Sequence, residues 1–200
     1  GRSLYNIFKQ AGHDVVSDIH LGDWGMPIGL ILAYIEKERI DINSLTYLDL
    51  ETIYPKASEL SASNKDFYIE AQEISKKLNS KNKNYLSKWE IIYELAIPNI
   101  KNLLNKLNYE FDWWRGESDV IDEVKTVIND AMEKNLVVED EGALVSTEKD
   151  EPPILITKSD GSYLYLTTDL GTVANREKSK KFDRYISVSY THLRAHETID

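Results

Sequence analysis

Three short stretches place residues with chemical capacity beside glycine. They are HLGDWGMPIG (20–29), FDWWRGESD (111–119) and YLYLTTDLGT (163–172). In the first, Gly22 and Gly25 let backbone approach a ligand closely, and Asp23 and Trp24 would then project from the loop into a crevice. On spacing alone, a tight turn with a packed tryptophan is the stronger reading. In the second, Glu117 follows Gly116 at a strand-to-helix junction. A carboxylate there either complements a helix dipole or, joined by a second one across a cleft, holds a cation. In the third, Tyr165 is expected to end a strand and Asp169 to open a helix with Thr168 as its N-cap. Asp169 is then a first-turn residue, or a carboxylate that with a tyrosine hydroxyl suits a planar guanidinium, which presents a rigid fork of donors. Trp113 and Trp114 read as core, because no basic patch surrounds them.

A fourth stretch, THLRAHE (191–197), holds two of the four histidines. His192 and His196 stand four apart beside Glu197. A helical zinc site of this kind needs H-E-x-x-H and a third ligand, and neither is present. The run VSYTHLRAHET (188–198) instead resembles one reading frame of a transposase sequencing adapter. Residues 188–200 are therefore expected to be non-native, which resequencing the source DNA across codon 187 checks.

The bulk properties narrow the classes. A chain of 200 residues, 42% hydrophobic and 29% charged, suits one globular domain, with or without an insertion. A net charge of −10 argues against a major nucleic-acid surface on this segment. No cysteine is present, which excludes thiolate metal sites and suits a cytoplasmic protein. No apolar run is long enough to span a membrane. The opening residues, with Leu4, Ile7, Phe8 and Ala11 on one face and Gly12 at the end, read as a helix. A chain that starts inside a helix reads as a fragment.

The elements that must position the three stretches follow from periodicity. VVSDIHL (15–21) is a β-branched strand run, GDWG a turn, and MPIGLILAYIEKERI (26–40) a helix with Pro27 in its first turn. Residues 44–108 carry helical spacing: Phe67, Ala71 and Ile74, then Trp89, Ile92, Tyr93 and Ala96, with a polar break at 75–84. β character returns at 108–119, a helix follows at 120–135, and LVVEDEGALVS (136–146) reads as a hairpin turning at Glu141-Gly142. PILITKSDGSYLYLTTD (153–169) reads as a second hairpin around Asp160-Gly161. A helix and a strand at FDRYIS (182–187) complete the series. Helix, strand, glycine loop and helix in this order predict a parallel α/β sheet.

Taken in order, the stretches resemble arginyl-tRNA synthetases. HDVVSDIHLGDWGMPIG resembles the family's strand and GDWG loop, and LDLETIYPKASE (48–59) part of its helical insertion. FDWWRGES resembles its F-D-x-x-x-G-E-S motif, and PPILITKSDGSYLYLTTDLGTVANR (152–176) its SDG and DLAT segment. The resemblance covers about residues 1–186. It implies an α/β fold, the class I synthetase Rossmann-type parallel sheet, incomplete here, with a helical insertion. The expected division is 1–43 and 109–187 for the two parts of the catalytic domain and 44–108 for the insertion.

The resemblance further implies an arginine–tRNA ligase that uses ATP with Mg²⁺ and needs no protein-bound metal. Arginine, ATP and arginine tRNA are the implied partners, the tRNA held mainly by domains outside this segment. Glu117, Tyr165 and Asp169 fall at the positions that read the arginine side chain, with His20, Asp23 and Trp24 at the pocket edge. The implied HIGH and KMSKS motifs are not in the chain, so the segment alone is expected to be inactive. Met26-Pro27 replaces a polar pair common in the family, and Gly171 replaces an alanine. A non-catalytic synthetase-like protein that binds arginine or tRNA is the alternative.

Overall fold

The computed structural model describes residues 1–147, 153–159 and 161–188. The chain divides into two compact units, Val16–Ile121 and a second made of Gly1–Val15 with Asp122–Asp200.

In the first unit, strand β1 (Asp18–Leu21) pairs in parallel with β2 (Trp113–Gly116), His20 opposite Arg115 and Leu21 opposite Gly116. Parallel neighbours need a long crossover, and the helical segment supplies it. Helix α2 (Met26–Lys37) follows the glycine loop with a proline in its first turn. It is apolar on nearly every side, and seven residues from Ile28 to Ile35 are buried, which makes it the central helix of the unit. Helices α3 (Tyr47–Ser63) and α4 (Lys65–Asn79) pack against it, and α5 (Lys83–Lys106) packs against α3 and α4. The apolar repeat expected at Phe67, Ala71 and Ile74 is the buried face of α4, extended by Leu78.

Caps fix these helix boundaries. Thr46 and Asp49 form a reciprocal capping box at α3, with the Thr46 N–H donating to Asp49 Oδ2 at 2.8 Å. Asn64 caps α4 by accepting from the Phe67 N–H at 3.0 Å, and Asn82 caps α5. The helical segment thus shares one unit with β1, α2 and β2.

Gly29 of α2 lies against α4. A Cβ there would sit 2.5 Å from the Ala71 carbonyl oxygen and 3.2 Å from Ser75 Cβ. Alanine would gain roughly 1 kcal/mol of helix propensity over glycine. Overpacking against backbone costs roughly 1–3 kcal/mol and exceeds that gain. Gly29→Ala is therefore expected to lower the melting temperature of the chain by a few degrees, read by circular dichroism. An unchanged or raised midpoint would show that the two helices separate without cost.

The second unit begins with α1 (Arg2–Gln10), closed by Gly12 at φ 87° as its glycine suggested. Helix α6 (Ile121–Glu133) buries Val124 and Ile128. Strands β3 (Val137–Asp140), β4 (Ala143–Ser146) and β5 (Leu155–Thr157) form an antiparallel sheet in that order. The β3–β4 turn is Glu141-Gly142, both at positive φ, the two-residue geometry expected of this hairpin. Beyond β5, Gly161 at φ 78° turns the chain, and Tyr163 bridges back to Thr157. Asp160, the other residue of that expected turn, lies outside the described residues, as do His192, His196 and Glu197.

Two expectations are corrected in this unit. Tyr165 does not end a strand but begins α7 (Tyr165–Ser179); Leu164 is the N-cap, and Thr168 lies inside the helix. The cause is burial of the threonines. Thr167, Thr168 and Thr172 are all buried. The Thr167 hydroxyl donates to the Ile156 carbonyl and that of Thr172 to the Thr168 carbonyl, so the polar groups are satisfied inside the unit. Residues 182–187 form no strand, because no strand among the described residues pairs with them. Instead the Tyr185 hydroxyl donates to Glu177 and the Ser187 hydroxyl to Asp169, which ties the run to α7.

Candidate functional site at the strand ends

Ligands of open α/β sheets bind outside the carboxyl ends of the parallel strands. At that end of the β1–β2 pair the chain places His20 and the loop Gly22–Gly25 beside Gly116, Glu117 and Ser118. His20 Nε2 stands 4.0 Å from Glu117 Oε1, both side chains mostly buried. A 3-10 turn, Glu117–Val120, carries Glu117 directly off β2 and leads into α6.

Asp23 ties the two loops together across 95 residues of sequence. Its Oδ1 accepts from the Ser118 N–H at 3.0 Å and its Oδ2 from the Ser118 hydroxyl at 2.6 Å. Burial raises the Asp23 carboxyl above its ordinary 3.8, and Asp119 adds to the rise against the lowering by Ser118. The folded state therefore keeps this proton to higher pH than the unfolded chain does. Stability from this group is present below pH 3.8 and is lost as pH rises through the folded value. Asp23→Asn is expected to flatten that part of the melting temperature–pH curve, measured from pH 3.8 upward. Superimposable curves for the two proteins would contradict it.

Trp24 does not project into a crevice. It is buried, its indole N–H donates to Asn79 Oδ1 at 2.7 Å, and its ring meets Trp89 edge-on at 5.3 Å. The physical reason is its large apolar ring, which has more to gain among α4 and α5 than in water. Trp89 in turn donates its indole N–H to the Asp23 carbonyl at 2.7 Å. Asn79, Trp89 and Ser118 are thus hydrogen-bond partners of the loop, a placement that spacing alone did not give. Burial, followed by Asp23 and Asp119, raises the nearby Tyr93 phenol above its usual 10.0, so the surroundings are acidic.

Of the expected residues, the structure brings His20, Asp23 and Glu117 together in one unit. Tyr165 and Asp169 belong to the other unit, one turn apart on the first two turns of α7. Asp169 is half-buried and accepts from the Ser187 hydroxyl at 3.3 Å. Among the described residues no group of three His, Cys, Asp or Glu side chains is placed to hold a metal ion.

A parallel strand pair joined through helices, with polar side chains gathered at its carboxyl end, is the arrangement of a Rossmann-type α/β domain. The chain belongs to the class I arginyl-tRNA synthetase family: the family described as "tRNA synthetases class I (R), catalytic domain" matches residues 1–198. It is 34% identical over 206 residues to an arginine–tRNA ligase of Agathobacter rectalis, covering 93% of this chain and 34% of that protein. It is 31% identical to an arginine–tRNA ligase of Alkaliphilus oremlandii, covering 94% and 35%. The chain thus spans about a third of the length of these relatives.

Its fold is similar to that of the arginyl-tRNA synthetase of Plasmodium falciparum, with a TM-score of 0.65 at 21% identity over 87% of this chain and 30% of that one. The arginyl-tRNA synthetase of Thermus thermophilus gives 0.55 at 15% identity over 86% and 31%. No helix among the described residues is long and apolar enough to cross a membrane.

Proposed function

We propose that the chain is part of a cytoplasmic enzyme that activates arginine with ATP and transfers it to arginine tRNA. Arginine's carboxylate attacks the α-phosphorus of ATP, arginyl-adenylate forms, and pyrophosphate leaves. The 3′-terminal ribose hydroxyl of the tRNA then takes the arginyl group and AMP leaves. Mg²⁺ enters with ATP as part of that substrate. The observation that carries this reading is the run of named arginine–tRNA ligases that align with over nine-tenths of the chain.

The residues suit the chemistry. Such reactions proceed mainly by positioning and by stabilising charge on an in-line transition state, so no side-chain nucleophile is required. We assign Glu117, Tyr165 and Asp169 to the arginine side chain. Carboxylates match a guanidinium with paired bonds, and a lysine or citrulline would leave some of their acceptors unpaired. His20 stands at the edge of this site through its approach to Glu117. Asp23 and Trp24, already engaged with Ser118 and Asn79, support it. Residues 1–43 and 109–187 are the two parts of the catalytic domain, and 44–108 the insertion between them.

The full-length protein that carries this chain is expected to catalyse arginine- and tRNA-dependent exchange of pyrophosphate into ATP. The 200-residue chain alone, without HIGH or KMSKS motifs, is expected to show none above background. Exchange by the isolated chain would overturn the second expectation. Absence of exchange and of arginyl-tRNA formation by the full-length protein would overturn the assignment.

A further inference from the structure

We propose that Asp23 is a positioning residue for Glu117: from the loop after β1 it holds the turn after β2, and so sets where the Glu117 carboxylate stands. The proposal rests on the reading of Glu117 as an arginine-binding residue. Its basis is the arrangement of hydrogen bonds on either side of Glu117. The preceding amide, Gly116 N–H, donates to Asp119 Oδ2 at 2.9 Å. The following amide, Ser118 N–H, donates to Asp23 Oδ1 at 3.0 Å, and the Ser118 hydroxyl occupies Asp23 Oδ2 at 2.6 Å. Carboxylates therefore hold the backbone on both sides of Glu117, and one of them is 95 residues away in sequence.

The holding group is itself held. Trp89 fixes the Asp23 carbonyl, Trp24 is tied to Asn79, and Gly25 adopts φ 73°, which other residues rarely take. The contact with the second strand is close enough to require glycine. A Cβ on residue 116 would lie 2.3–2.4 Å from the Asp23 carboxylate atoms. Both glycines flanking this arrangement thus have a reason to be glycine, one conformational and one steric. A small shift of Ser118 would be passed to Glu117 directly through one peptide bond. Misplacement by about 1 Å costs up to ~10²-fold in rate.

Asparagine distinguishes holding from charge. Its amide oxygen can accept from the Ser118 N–H while its NH₂ donates to the Ser118 hydroxyl, so both links survive without charge. A side chain that met the guanidinium through its own charge would not be replaced in this way.

The test is arginine-dependent aminoacylation by the full-length enzyme at saturating ATP and tRNA. Glu117→Gln is expected to raise KM for arginine by ~10²-fold and Asp23→Ala by ~10-fold, the scale of lost positioning. Ser118→Ala should fall between Asp23→Ala and the parent. Asp23→Asn should recover most of what Asp23→Ala loses, and Asp23→Ala should add little to Glu117→Gln in the double variant. Asp23→Asn as impaired as Asp23→Ala overturns the proposal in favour of direct charge contact. A lower melting temperature in Asp23→Ala with KM and kcat unchanged overturns it in favour of stability alone. If Glu117→Gln leaves KM unchanged, the reading of Glu117 fails and the proposal falls with it.

Hydrogen exchange on the 200-residue chain tests the holding contact separately from any activity. Ser118 amide protection, relative to the β1–β2 ladder amides, should drop in Asp23→Ala and persist in Asp23→Asn. Unchanged protection in Asp23→Ala shows that Asp23 does not hold the turn and overturns the proposal.

Discussion

In the full-length enzyme, Asp169→Asn is expected to lower kcat/KM for arginine by ~10²–10³-fold, the scale of losing one charged partner of a desolvated pair. At about 1.4 kcal/mol per tenfold this is roughly 3–4 kcal/mol. The number follows from what Asn keeps and loses. It keeps the shape and one acceptor, but not the charge or the second acceptor that a guanidinium's parallel N–H groups require. Asp169 is free to make this contact on hydrogen-bonding grounds. Ser187 takes one position on it at 3.3 Å, and an ionised carboxylate offers about four. Tyr165 stands one turn earlier on the same helix. If the contact is equally strong before and during the reaction, KM rises and kcat stays the same. Steady-state kinetics with arginine, and with lysine as competitor, measure both. An unchanged KM for arginine would remove Asp169 from the site.

Gly116→Ala carries the largest expected effect on stability. The backbone at residue 116 is extended, φ −113° and ψ 175°, which alanine adopts readily. Conformation therefore gives no reason for glycine here; contact does. A Cβ would fall 2.3 Å from Asp23 Oδ1 and 2.4 Å from its Cγ and Oδ2. Overpacking alone costs roughly 1–3 kcal/mol. If the half-buried carboxylate moves away, it gives up its hydrogen bonds to Ser118, each worth roughly 1.5–3 kcal/mol to a charged group. Both routes are costly, so a loss of about 3 kcal/mol or more is expected in denaturant titration of the chain. The double variant Gly116→Ala/Asp23→Ala should lose less than the sum of the two, because the clash disappears with the carboxylate. A loss within about 0.5 kcal/mol for Gly116→Ala, the range of a neutral surface change, would contradict the close approach.

Much of this was legible in residue types and spacing. The α2 run has no polar face, which announces a central helix, and the 67–71–74 repeat marks the buried side of α4. Glu141-Gly142 supplies the two positive φ angles that a two-residue hairpin demands. Four ordered stretches were enough to indicate the family to which the chain belongs. All of these are local signals, carried by a few adjacent positions or by one helical period. The start of α7 and the run 182–187 were misread for the matching reason. Alternation in YLYL and the apolar content of FDRYIS resemble strands, but a strand exists only when another strand lies beside it.

The sequence by itself determined which residues carry charge or aromatic surface, that a helix follows the glycine loop after β1, and that a glycine stands at the end of β2. Tertiary structure alone decided which of those residues meet. Asp23 and Ser118 are 95 positions apart, and only the parallel pairing of β1 with β2 makes them partners. Trp24 could have faced a ligand or the core; burial against Trp89 decided for the core. A periodic pattern records the preference of one element for an apolar environment. It holds no record of the partner that a polar group finds when two distant elements are brought within hydrogen-bonding distance.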